Sequence, residues 1–161
     1  MWYKNSGRLL KALSVAAFVL YLAVLLRLTV LRDSMFRGGT QRLYPVSLKL
    51  WEYYGWFLRT GQVIQFRYLL IGNFLCLAPL GFACGYFRKG CSLVFAAAVC
   101  LGATVFIELC QLLFCVGFFE LDDIILNALG GIFGYATHLI ICRITERITP
   151  RSRQTSWGSQ Q

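Results

Sequence analysis

The chain has 161 residues, 58% of them hydrophobic and 14% charged, with sixteen Lys and Arg against seven Asp and Glu for a net charge of +9. An ordinary soluble domain carries about 45–50% apolar and about 25% charged residues, so the composition excludes a soluble enzyme, a disordered chain and a small disulfide scaffold, and the length holds one domain. The basic residues lie between long apolar runs, which fits anchors beside anionic lipid and not nucleic-acid binding.

Residues 12–31 are apolar except for Arg27, and Lys4, Arg8 and Lys11 precede them. Arg27 and Arg32 stand where a signal peptide would place small residues for cleavage, so the segment reads as an uncleaved first span. The stretch from Arg32 to Arg67 is basic and holds Tyr44, Trp51, Tyr53, Tyr54, Trp56 and Phe57. Aromatics at this density mark the headgroup layer, and residues 46–58 suit an interfacial loop or a short helix lying in the interface or dipping into it.

Residues 68–87 are twenty without a charge, and they include Asn73, Pro79, Gly81 and Gly85. Residues 90–119 carry one charge, Glu108, and residues 124–142 carry none. About twenty apolar residues cross a bilayer, so these are spans two to four. The thirty-residue run either tilts or ends in a short loop from Phe114 to Phe119. The expected fold is all-α: a polytopic membrane protein with a cytoplasmic N-terminus over 1–11, a transmembrane domain over 12–149 and a disordered cytoplasmic tail over 150–161.

The seven cysteines (Cys76, Cys84, Cys91, Cys100, Cys110, Cys115 and Cys142) lack metal-ligand spacing and read as small hydrophobes; no metal and no cofactor is expected. Arg88 and Lys89, with Arg143, Arg147, Arg151 and Arg153, place both termini and the turn between spans two and three in the cytoplasm. The acidic turn at Glu120, Asp122 and Asp123 then lies outside. So does the basic aromatic stretch, against the usual charge bias.

On that topology Arg27, Asn73, Glu108, Gln111, Asp122, Asp123 and Asn127 fall at one depth, roughly 0–8 Å below the outer interface at 1.5 Å per residue. Thr104, Glu108 and Gln111 share one helix face. Asp123, Asn127, Gly130 or Gly131, Gly134 and His138 form one stripe. Gly81, Gly85, Gly130, Gly131 and Gly134 suit close helix packing. Pro79 predicts a kink below Asn73 that frees the Leu75 carbonyl. Asp122 alone suits an N-cap, and His138 a bundle histidine. A buried Glu108 must be paired or neutral; it is either the partner of Arg27 or an acid that handles a proton or ligand.

The string Asn73-Phe-Leu-Cys-Leu-Ala-Pro79-Leu-Gly81-Phe, then Glu108-Leu-Cys-Gln111, then Asp122-Asp123-Ile-Ile-Leu-Asn127-Ala-Leu-Gly130-Gly131-Ile-Phe-Gly134-Tyr resembles the VanZ-like family of bacterial membrane proteins. The resemblance covers Asn73 to Tyr135. Gly117, Phe118 and Phe119 stand where many members carry an Arg, and Arg42-Leu-Tyr-Pro45-Val where many carry Asn-Leu-x-Pro-Phe. It implies a cell-envelope protein of the bacterial cytoplasmic membrane linked to teicoplanin-type glycopeptide resistance. The partners implied are membrane lipids, a lipid-linked cell-wall precursor or the antibiotic. Two other functions fit the residues. One is a membrane enzyme using Glu108 and Asp122/Asp123 as acid and base or as ion ligands. The other is a small proton-coupled transporter relaying through Glu108.

Overall fold

A computed structural model describes residues 2–31, 46–114, 116 and 119–148. The Pro45 motif, the basic residues from Arg32 to Arg42 and the expected tail over 150–161 lie outside the described residues.

Among the described residues the regular structure is helical apart from one two-stranded element. Helix α1 spans Trp2–Thr29, strand β1 Val46–Ser47, α2 Glu52–Arg59, α3 Val63–Cys76, α4 Ala78–Phe87, α5 Leu93–Leu113, strand β2 Phe119–Glu120 and α6 Leu121–Ile148. Four stretches are long and apolar enough to cross a membrane: Arg8–Thr29, Val63–Phe87, Leu93–Leu113 and Leu121–Ile148. The protein is a polytopic membrane protein.

Three expected boundaries move. The apolar run over 90–119 stops being helical at Leu113, and the chain turns at Phe114 before entering β2. The helix therefore does not extend through the whole run. The fourth span starts at Leu121, so Asp122 sits inside its first turn and is not its N-cap. The interfacial segment is an eight-residue helix, Glu52–Arg59, preceded by β1 rather than one helix over 46–58.

The second span is two helices that meet at Leu77, a fully buried residue with φ −99°. Pro79 falls in the first turn of α4, where a missing N–H has no intrahelical acceptor to lose. The freed carbonyl is not that of Leu75, which takes the Leu77 amide. It is that of Cys76, which accepts the Tyr21 hydroxyl at 2.8 Å. The break thus becomes the joint that ties α1 to the rest of the bundle.

Helix α6 is the central post, packed against α3, α4 and α5. Glycine makes this possible. A Cβ at Gly130 would overlap the carbonyl oxygen of Phe74, and one at Gly134 that of Ala78. Gly81 on α4 meets the Gly131 carbonyl in the same way, and Gly131 also leaves room for the Cys100 sulfur. The helices therefore approach backbone to backbone on both sides of the Leu77 break. Leu77, Cys100 and Ile107 form the buried apolar centre, with Leu25, Leu80 and Ala103 against it. At the far end Ser92 caps α5 by accepting the Phe95 amide at 3.1 Å, and the Tyr135 hydroxyl bonds the Cys91 carbonyl.

Candidate functional site

Strands β1 and β2 pair in parallel, Val46 with Phe119 and Ser47 with Glu120. This short ladder brings the segment before α2 onto the start of α6. Helix α2 then lies over the ends of α3 and α6, turning Tyr54 and Phe57 inward while Trp51 and Trp56 stay half exposed.

Under α2 a polar triangle forms. The Tyr54 hydroxyl donates to Asp123 Oδ1 at 3.2 Å. Asn73 Nδ2 donates to the Tyr54 oxygen at 3.1 Å and to the same carboxylate oxygen. Three elements far apart in sequence (α2, α3 and α6) thus share one carboxylate. Tyr54 is 2% exposed. Burial, and then the Asp123 charge, push its hydroxyl well above the ordinary phenol range, so it remains a donor. Asp122, one residue earlier, faces elsewhere: both its oxygens accept the Trp51 amide, at 3.1 and 2.8 Å. The two aspartates therefore do not act as one chelating pair.

Glu108 is 1% exposed. Its Oε2 accepts the Glu120 amide at 3.1 Å. The contacts of Glu108 thus run to β2 rather than to Arg27, whose guanidinium bonds the Leu31 carbonyl at the end of α1. Asp123 is within electrostatic reach of Glu108. Glu120, on β2 between them, has its carboxyl pushed up to about 7 by burial and by the Asp123 and Asp122 charges.

The remaining residues predicted for the site divide. Gln111 leaves it and donates to the Thr29 carbonyl at 3.2 Å, fastening α5 to α1. Asn127 is 4% exposed, and among the described residues its Oδ1 has no hydrogen-bond partner. Thr104 is fully buried with its hydroxyl likewise unpartnered. His138 belongs to another layer. Its ring packs edge-on to Phe82 at 5.3 Å, and Gly85 makes room for it. Among the described residues no group of three or more His, Cys, Asp or Glu is arranged to hold a metal ion.

Tyr54 and Glu120 belong to this site, yet sequence reasoning set neither in the polar cluster. Tyr54 was hidden among interfacial aromatics, and only its place amid the basic, aromatic stretch hinted at a role. Glu120 was read as part of the acidic turn.

Asn73, Glu108 and Asp123, with Asp122 and Asn127 on α6 and the glycines that pack that helix, all lie within the segment matched by the sequence model of VanZ/LLP1, residues 18–143. The chain belongs to the VanZ/LLP1 family. No curated protein and no solved structure matches it. Within this VanZ/LLP1 member the family segment includes less than half of α1, at its C-terminal end, all of α2 to α5 and most of α6.

Proposed function

We propose that this VanZ/LLP1 protein acts in the bacterial cell envelope and contributes to resistance against teicoplanin-type glycopeptides. It does so through a polar site at the outer ends of its spans that engages a lipid-linked or cell-wall group. The observation that carries the reading is the shared Asp123 carboxylate, held by Tyr54 and Asn73 beneath α2, with buried Glu108 close by. Buried carboxylates are expensive, and helix association alone does not call for several of them at one end of a bundle. The charges at Arg88, Lys89, Arg143 and Arg147 support cytoplasmic termini and an outward site.

The site suits recognition better than hydrolysis. Asp122 and Asp123 have separate partners. The test is expression of the wild type and of Glu108→Gln in a teicoplanin-susceptible host, with membrane abundance measured for each. The expected result is equal abundance and loss of protection in the variant. Full protection from Glu108→Gln would refute the proposal.

A further inference from the structure

A groove of about 600 Å³ runs along the outer face of α3, lined by Ile64, Arg67, Tyr68, Ile71, Gly72 and Leu75. These residues fall on one face of the helix. From Ile64 to Leu75 the groove is about 16 Å long at 1.5 Å per residue, about half the thickness of a hydrocarbon core. Its depth comes from Gly72, since nothing lies within 4 Å of where a Cβ there would sit. Its chemistry is divided. Ile64, Ile71 and Leu75 are exposed apolar side chains, and Tyr68 is 76% exposed. Arg67 stands near the end that faces α2.

Arg67 lies inside the apolar stretch Val63–Phe87. Among the described residues it makes no hydrogen bond or ion pair. A guanidinium at the end of a span sits at the level of lipid headgroups, and the planar fork of Arg matches a phosphate better than a point charge does. Among the described residues no carboxylate fills that role. A hydrophobic track one leaflet long, ending at an unoccupied guanidinium with a phenol beside it, has the shape and charge of a single phosphate-headed lipid.

We infer that the α3 groove is a binding site for an anionic phospholipid, with Arg67 on the phosphate, Tyr68 at the headgroup level and a chain lying over the Gly72 notch. This goes beyond the function proposed above, since the groove uses none of Tyr54, Asn73, Glu108 or Asp123. Its test reads lipid retention and not drug susceptibility, so either idea can fail while the other stands.

The experiment uses the full chain purified in detergent, incubated with mixed micelles of phosphatidylglycerol and phosphatidylcholine, and native mass spectrometry of the retained lipid. The wild type should hold phosphatidylglycerol over phosphatidylcholine by about ten-fold, the weight of one charge-assisted contact. Arg67→Gln should abolish that preference. Gly72→Leu should fill the notch and lower retention of both lipids, with melting temperature unchanged or raised because leucine favours the helix more than glycine does. Inorganic phosphate in excess should not displace the lipid, because the chain supplies the apolar contact. Equal retention of the two lipids by the wild type, unchanged selectivity in Arg67→Gln, unchanged retention in Gly72→Leu, or displacement by phosphate alone would each overturn the assignment.

Discussion

Both carboxylate oxygens of Asp122 accept the main-chain N–H of Trp51, 71 residues earlier in the chain. Trp51 has a left-handed backbone, φ 61°, at the start of α2. A bulky residue adopts that conformation at a cost of about 1–3 kcal/mol and only when its surroundings hold it there. The carboxylate is what holds it. Asp122→Ala removes the acceptor, and a lost bond to a charged group is worth about 1.5–3 kcal/mol. The expected outcome is destabilisation of that order with α2 released. It is read as a lowered melting temperature and faster hydrogen exchange confined to residues 51–60.

The helix interface gives a contrast between two glycines. Gly81→Ala would drive a methyl into the Gly131 carbonyl, backbone against backbone. Overpacking of this kind costs about 1–3 kcal/mol. Gly72→Ala meets open space and should be neutral or stabilising by about 0.5–1 kcal/mol. Thermal denaturation of the two variants in one detergent checks the order.

Stability should fall as pH rises through the window set by Glu120. Its carboxyl is pushed from an ordinary 4.5 to about 7, so the folded protein holds a proton there that the unfolded chain has released. The contribution is fully present below about 4.5, declines between about 4.5 and 7, and is absent above that range. The neighbours facing it are Asp122 and Asp123, with Glu108 bound to its amide. Melting temperatures from pH 4 to pH 8 should therefore drop less steeply in Glu120→Gln than in the wild type. Parallel curves would remove Glu120 from the explanation.

Much of this arrangement was legible because charge-free runs of about twenty residues have one stable environment. The joint at Leu77 was legible to within two residues from Pro79, and the α6 packing face from Gly130 and Gly134. The β1–β2 pair was not, since two-residue strands carry no periodicity and their register depends on contacts 73 positions apart. Of the two readings of Glu108, the pairing with Arg27 fails for a related reason. Depth along a helix says which residues share a level, but not which way they point: Arg27 turns to Leu31 and Glu108 to Glu120. Gln111 shared that depth as well and points to α1. Tyr54 was overlooked because an aromatic residue near a membrane surface ordinarily faces lipid headgroups, whereas α2 turns this one inward.

The most direct measurement is a swap at the shared carboxylate. Asn73→Asp combined with Asp123→Asn keeps one amide, one carboxylate and the Tyr54 hydroxyl in contact, but moves the charge from α6 to α3. If the triangle serves the envelope function, the double variant should melt within about 1 kcal/mol of the wild type, the worth of one hydrogen bond, reach the membrane in equal amount, and give no protection against teicoplanin. A double variant that protects as well as the wild type would show that the charge on α6 is structural glue and would contradict a functional site at Asp123.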